Sequence, residues 1–234
     1  MSNEQHTDPH SDDGRYDARI LDSWHANAAP WTSTVRQGQI ESRRLVTDRA
    51  IVDAVLARKP ATVIDVGCGE GWLARALSRQ GVRVTGLDAV PALIEQAKRA
   101  GGAEFRVASY QQIASGQIRA QAELVVCNFA LFGKHSVEGL LRALPGLLRE
   151  RGTLVIQTLH PLMACGDQPY RDGWREGSWA GFDPAFTDPA PWYFRTLESW
   201  VRLLRWHGLR LLEIIEPLHP LSQRPASVIF VASL

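Results

Sequence analysis

The chain has 234 residues, of which 45% are hydrophobic, so its length and composition predict one globular domain with a sizeable core. Its 26 basic and 25 acidic residues give a net charge of +1, and no block of lysines and arginines is present. Nucleic acid and membranes are therefore not expected as partners. Three widely spaced cysteines favour neither a disulfide framework nor a zinc site, and the first residues lack a signal-peptide pattern, so we expect a cytoplasmic protein.

The first sixty residues divide into two parts. Residues 1–16 are polar and rich in turn-forming residues, so we expect a disordered tail. In residues 17–59 apolar side chains recur at helical spacing up to Lys59-Pro60, where the pattern stops. This second part is predicted to form an N-terminal helical cap.

After Pro60 short apolar runs alternate with amphipathic helices, which is typical of a parallel α/β sheet. The predicted strands are Thr62–Val66, Arg83–Asp88, Ala103–Ala108, Leu124–Phe129, Thr153–Leu159, Arg210–Glu216 and Ser227–Ala232, and the predicted helices are Gly71–Gln80, Pro91–Ala100, Tyr110–Gln117, Val137–Arg149 and Leu197–His207. Because no helix separates the last two strands, they should pair as an antiparallel hairpin. The expected fold of residues 60–234 is a doubly wound, Rossmann-like, mostly parallel seven-stranded sheet with an antiparallel last strand.

Three glycines, Gly67, Gly69 and Gly71, follow the first predicted strand in the run V-I-D-V-G-C-G-E-G. Glycine permits positive φ and lets a ligand approach the backbone, and the N–H groups at the start of the following helix favour anionic or polar groups. Asp88 ends the second strand, where a carboxylate can accept both hydroxyls of an adenosine ribose. These features predict a nucleoside-containing ligand; the alternative is a tight turn and a helix cap without a ligand.

A dinucleotide fingerprint would require a third glycine at position 72, where the chain has Trp72. The observed D-x-G-x-G-x-G spacing instead resembles the first motif of class I S-adenosylmethionine-dependent methyltransferases. The resemblance continues through L-V-V-C-N-F-A-L from Leu124 and L-L-R-E-R-G-T-L-V-I from Leu147. It is strongest between Pro60 and Leu159, and it favours the small-molecule branch, similar to enzymes of ubiquinone and menaquinone biosynthesis.

This resemblance implies S-adenosyl-L-methionine as cofactor and assigns roles to the matching positions. The glycine turn would face the methionine portion, and the end of the second strand would bind the ribose. Residues at the end of the third strand would line the adenine, and residues at the end of the fourth strand would lie beside the transferable methyl. The implied cofactor residues are Trp31, Arg43, Asp65, Gly67, Cys68, Gly69, Asp88, Ala89, Ser109, Tyr110, Asn128 and Phe129. For Trp31 the alternative is a core aromatic, and for Arg43 a solvated helix charge.

Residues 160–195 form a long segment without a clean helical or strand period, but with many aromatic side chains that require burial. We expect a lid that also builds the acceptor site; the alternative is an oligomer interface. His160, directly after a strand and before Pro161, is the candidate base or orienting group. Tyr193 and Arg195 are candidates for binding a polar group of the acceptor.

The predicted function is transfer of the methyl group of S-adenosylmethionine to an O or N atom of a small-molecule acceptor, by in-line displacement and without a metal. The segment N-F-A-L from Asn128 replaces the [N/D]-P-P-aromatic motif of amino-methylating DNA enzymes. A general base typically contributes roughly 10²–10⁴-fold in such a reaction. Two alternatives remain: a non-catalytic cofactor-binding module that holds a protein partner, and an NAD(P)-dependent oxidoreductase. A monomer or homodimer is expected.

Overall fold

A computed structural model describes residues 9–234, with side chains from Asp13 onward. Its centre is a seven-stranded sheet in the order β3-β2-β1-β4-β5-β9-β8. The strands are β1 Thr62–Val66, β2 Arg83–Asp88, β3 Glu104–Val107, β4 Ala122–Asn128, β5 Leu148–Thr158, β8 Arg210–Ile215 and β9 Val228–Ser233. The first five strands are parallel, and β9 runs antiparallel to both β5 and β8. The fold predicted from the sequence is confirmed.

Helices cover both faces of the sheet. They are α1 Pro9–Ala26, α2 Ala28–Arg36, α3 Asp48–Leu56, α4 Trp72–Ser78, α5 Pro91–Ala100, α6 Tyr110–Ala114, α7 His135–Ala143, α8 Pro161–Ala164 and α9 Leu197–Trp206, with a π-helical turn at Arg43–Thr47 and a 3₁₀ turn at Leu144–Leu147. Side chains alternate across the strands, so β5 contributes Ile156 to the face covered by α7 and α9, and Val155 to the face covered by α3 and α4. None of the helices in the described part of the chain combines the length and the apolar character needed to cross a membrane.

The N-terminal region differs from the sequence prediction. The first helix begins at Pro9, inside the stretch of residues 1–16 that was expected to be disordered, and residues 1–8 lie outside the described part of the chain. The prediction of disorder is wrong for Pro9–Tyr16 because the aromatic and acidic side chains of α1 have partners far along the sequence. Tyr16, for example, lies 4.7 Å from Trp174 between ring centroids.

The segment after β5 also contains regular structure that the sequence did not predict. Besides α8, it forms a hairpin from β6 Gly173–Arg175 and β7 Trp192–Phe194, which pair in antiparallel fashion. In addition, the helix expected at Val137–Arg149 stops at Ala143, because Pro145 lacks the N–H needed to continue it. The chain then enters β5 at Leu148, earlier than expected.

Candidate active site

The carboxyl ends of the parallel strands meet where the order of connections reverses between β1 and β4, which is where open α/β sheets bind ligands. The glycine turn lies at this edge, and its N–H groups at Gly67 and Cys68 both donate to the carbonyl of Leu87, at 2.7 and 3.1 Å. Gly67 and Gly71 have φ of 76° and 82°. The turn therefore has a conformation that other residues rarely adopt.

The three glycines of the turn have different surroundings. A Cβ atom at Gly67 would collide with Ala130, and one at Gly71 would lie 2.6 Å from the Phe105 ring. At Gly69 the nearest atom would be the indole nitrogen of Trp31, at 3.6 Å, which is ordinary contact. Gly67 and Gly71 are thus required for packing within the protein, while Gly69 leaves space beside Trp31 for a ligand.

Asp88 is tied to the glycine turn through its carboxylate. Its Oδ2 accepts the N–H of Gly69 at 2.8 Å, and its Oδ1 accepts the N–H of Val90 at 2.9 Å. Ala89 lies between Asp88 and Val90 in the sequence. Burial raises the pKa of Asp88, whereas these N–H groups favour the charged form. Each carboxylate oxygen can accept a further hydrogen bond, so the group remains suitable for two ribose hydroxyls.

Asp65, at the end of β1, is fully buried and its Oδ2 has no hydrogen-bond partner. Burial, together with the nearby charge of Asp88, raises the pKa of Asp65 to about 8. A buried carboxyl oxygen without a partner costs free energy, so a donor that reaches it is stabilised there. A cationic donor, such as an ammonium group, would satisfy it.

Arg43 approaches the same turn from the cap, in the π-helical turn. Its guanidinium carbon lies 4.7 Å from the Trp72 ring centroid and 5.8 Å from that of Trp31, and its Nε donates to Asp48 at 2.9 Å. Its Nη2 is buried without a partner. An unpaired guanidinium nitrogen and an unpaired carboxyl oxygen near one turn fit the two charged ends of an amino acid.

The residues after β3 and β4 form the next part of the site. Ser109 caps α6 by accepting the N–H of Gln112, and the hydroxyl of Tyr110 donates to the carbonyl of Ala130 at 3.0 Å. Asn128 accepts from the side chain of Gln157 at 2.7 Å, which fixes its orientation. Phe129 follows with φ of 49°, a backbone conformation that is strained for a residue with a side chain and is found most often at functional sites.

Of the predicted acceptor residues, Tyr193 and Arg195 line one small cavity, and His160 does not. Tyr193 stacks near Arg195, whose guanidinium carbon is 4.8 Å from the phenol centroid, whereas His160 is paired with Glu216 at 2.7 Å. Arg195 is buried and donates to the carbonyls of Gly133 and Lys134, at 2.8 and 3.2 Å. Its guanidinium thus holds the loop after β4, while its predicted role in binding the acceptor stays a prediction.

Aromatic rings connect the glycine turn to the segment 160–195. Trp24 lies 5.1 Å from Trp31, 6.4 Å from Phe132 and 5.9 Å from Trp179, measured between ring centroids. Asn27 joins the same regions by exchanging hydrogen bonds with Thr187 at 2.7 and 2.9 Å. The cap and the segment thus form one continuous wall over the end of the sheet.

Several residues of the site were missed by the sequence analysis. Glu70 is buried between Arg36 and Arg75 at 3.0 and 2.6 Å, linking the cap to α4, and its place inside the glycine motif was an available signal. Asp13 accepts from Lys134 and from the Trp174 indole, both at 2.7 Å. No local pattern marks such long-range pairs. Within the described side chains, no group of three or more His, Cys, Asp or Glu residues is placed to hold a metal ion.

The fold is a Rossmann-like sheet, and the strand-end residues form a candidate ligand site at its switch point. A family model described as a methyltransferase domain matches residues 40–214, which is most of the chain. The chain therefore belongs to the methyltransferase-domain family.

Curated relatives match only part of the chain. The ubiquinone biosynthesis O-methyltransferase of Xanthomonas campestris is 33% identical over 114 residues, covering 47% of each protein. The protein of this name from Xylella fastidiosa is 32% identical over 109 residues, covering 44% of each. The matched region thus spans about half the length of these relatives.

Solved structures extend the likeness over the whole fold. An S-adenosylmethionine-dependent methyltransferase from Mesorhizobium loti superposes with a TM-score of 0.60 at 20% identity, covering 79% of this chain and 96% of that one. The 1,6-didemethyltoxoflavin-N1-methyltransferase of Burkholderia thailandensis has a TM-score of 0.60 at 18% identity, with coverage of 99% and 92%. At these identities the comparison establishes the fold.

Proposed function

We propose that the protein is an enzyme that transfers the methyl group of S-adenosyl-L-methionine to an O or N atom of a small-molecule acceptor, without a metal. The observation that carries the proposal is the pair of unpartnered, buried polar atoms beside the glycine turn, Asp65 Oδ2 and Arg43 Nη2. They match the ammonium and carboxylate of a methionine portion. Asp88, at the end of the adjacent strand, matches the ribose.

Each candidate cofactor residue has a defined task in this proposal. Asp65 receives the ammonium, Arg43 the carboxylate, and Asp88 the ribose hydroxyls, while Gly69 leaves room for the ligand below Trp31. Ala89, Ser109 and Tyr110 border the adenine, and Asn128 and Phe129 border the reacting end. The remaining turn residues, Gly67 and Cys68, hold the backbone that contacts the ligand.

The bound cofactor supplies a methyl group that its sulfonium already activates. The protein then mainly aligns an acceptor lone pair behind the carbon–sulfur bond, a gain of up to about 7–11 kcal/mol. Aromatic faces such as that of Trp31 favour the cationic cofactor over its neutral product, by about 0.5–2 kcal/mol.

The acceptor site is proposed to lie under the segment 160–195. Leu131, Phe132 and Tyr193 line a small cavity there, next to the exits of β4 and β5. The names of the relatives include both an O-methyltransferase and an N-methyltransferase, so they support methylation of a small molecule without selecting the atom. A cytoplasmic location and a monomeric or homodimeric state remain part of the proposal, as does the absence of a nucleic-acid partner.

The first experiment measures binding of S-adenosylhomocysteine by calorimetry in wild type, Gly69→Ala and Gly81→Ala. Both glycines have positive φ, of 56° and 86°, so both substitutions introduce similar backbone strain. At Gly69 the new Cβ would occupy the space beside Trp31 that is proposed for the ligand. At Gly81 the new Cβ would have no atom within 4 Å, so this substitution touches no proposed site. Gly69→Ala should lose at least tenfold in affinity and Gly81→Ala should not; equal affinities would contradict the assignment.

The second experiment tests transfer. The protein is incubated with methyl-labelled S-adenosylmethionine and a small-molecule cell extract, and the labelled product is identified by mass spectrometry. Label in a small molecule is the expected result. Tight binding of S-adenosylhomocysteine without transfer to any acceptor would instead support a non-catalytic binding module, and binding of NAD(P)H in its place would support an oxidoreductase.

A further inference from the structure

Buried His160 pairs with the half-exposed Glu216 at the carboxyl ends of two strands. His160 follows β5 and is 5% exposed, and Glu216 follows β8. The Nε2 atom of His160 lies 2.7 Å from Oε1 of Glu216. Because a carboxylate only accepts hydrogen bonds, Nε2 must carry the proton. In the neutral ring, Nδ1 is then a bare acceptor.

The second ring nitrogen has no partner in the protein. Nδ1 of His160 is buried and makes no hydrogen bond. Buried polar atoms are nearly always paired, so an unpaired lone pair at a strand end indicates a ligand. Only a proton donor would satisfy it.

The sequence neighbours of His160 line the cavity already assigned to the acceptor. Thr158, Leu159 and Pro161, which flank His160 in the sequence, line this cavity together with Phe132 and Tyr193. An acceptor bound there would present its reacting group near the exits of β4 and β5. The inference rests on the proposed function, since it concerns the same site.

We propose that Glu216 is a positioning residue that holds His160 in the Nε2–H form, so that Nδ1 removes a proton from the acceptor during methyl transfer. The O–H or N–H proton of the acceptor passes to Nδ1, the acceptor lone pair forms the new bond to carbon, and the electron pair of the carbon–sulfur bond stays on sulfur. The carboxylate of Glu216 then stabilises the resulting imidazolium until the proton leaves to water. The acceptor is therefore a hydroxyl or amine compound that loses a proton when it is methylated.

If the pair of His160 and Glu216 had a purely structural role, the expected effect on methyl transfer would differ. In that case the hydrogen bond only fastens the loop after β8 to α8, and the protonation state of the ring has no consequence for transfer. The variants that separate the two roles are Glu216→Gln and Glu216→Asp. Glu213→Gln is the matched control, because Glu213 is an exposed carboxylate of β8 that pairs with Arg58.

The first readout is the tautomer of His160, measured by two-bond ¹⁵N–¹H correlation in protein labelled with ¹⁵N-histidine and bound to S-adenosylhomocysteine. Wild type, Glu213→Gln and Glu216→Asp should show a protonated Nε2 and a bare Nδ1. Glu216→Gln should show a mixture of tautomers, because an amide can either donate or accept. An unchanged tautomer in Glu216→Gln would overturn the proposal.

The second readout is the initial rate of label transfer from methyl-labelled S-adenosylmethionine into the small-molecule extract. Glu216→Gln should lower the rate at saturating cofactor at least tenfold without changing the KM for S-adenosylmethionine, and Glu216→Asp should recover part of it. A loss no larger than that of Glu213→Gln would overturn the proposal. If wild type transfers no label, the proposed function fails together with the base role, and the tautomer measurement still shows whether Glu216 controls His160.

Discussion

The two halves of the site are built in different ways. Most of the cofactor half consists of residues within a few positions of a strand end, as at Asp65, Gly69 and Asp88, and the N-terminal cap adds Trp31 and Arg43. The acceptor half depends on side chains from distant parts of the chain, such as Asp13 with Trp174. The first half is therefore specified by a short motif, while the second can change its contacts without disturbing the bound cofactor.

The largest expected effect is in the cofactor half. Asp88→Ala removes two charge-assisted hydrogen bonds to the ribose, each worth about 1.5–3 kcal/mol, so affinity for S-adenosylhomocysteine should fall roughly 10²–10⁴-fold. Calorimetry measures this, with Asp53→Ala on the exposed side of α3 as control. An affinity within threefold of wild type, in a protein with a native circular-dichroism spectrum, would remove Asp88 from the ribose site.

In the acceptor half, Arg195→Met should lower the free energy of unfolding and leave the affinity for the cofactor unchanged. The substitution leaves the buried carbonyls of Gly133 and Lys134 without their donor, which costs about 2–3 kcal/mol and lowers Tm by about 5–10 °C. The exposed Arg202→Met is the control. A normal Tm combined with loss of transfer would contradict this expectation and support the acceptor-binding role predicted from the sequence.

A smaller effect is expected where the segment 160–195 is anchored to α1. Trp174→Phe removes the indole donor to Asp13, about 1 kcal/mol, so local opening should become roughly fivefold more frequent. Trypsin should then cut faster at Arg171 or Arg175, and added S-adenosylmethionine should slow cutting in wild type if the segment closes as a lid.

Trp206→Phe, on the exposed side of α9, is the control for this anchor. Cleavage that ignores the cofactor and slows only with rising protein concentration would identify the segment as an interface between copies. The lid prediction would then be withdrawn, while the cofactor site would be unaffected.

The difference between local contacts in the cofactor half and long-range contacts in the acceptor half also explains which features the sequence could predict. The strands and the positions of Gly67 and Asp88 follow from short-range patterns, because hydrophobic periodicity and turn chemistry are local. The helix at Pro9–Tyr16 was missed because its acidic and aromatic side chains are stabilised by Lys134 and Trp174, far along the chain. The contacts of Arg195 with the carbonyls of Gly133 and Lys134 were missed for the same reason, since a buried arginine that binds carbonyls has no sequence signature distinct from one that binds a ligand.

The raised pKa of Asp65 couples ligand binding to the proton concentration. With a pKa of about 8, this carboxyl is mostly neutral at pH 7 in the free protein. An arriving ammonium group favours the charged form, so the pKa falls on binding and a proton is released to the buffer. Affinity should therefore rise with pH up to about 8 and fall again above it, where the amino group of the ligand loses its own proton. The calorimetric enthalpy at pH 7 should differ between buffers according to their own heats of ionisation.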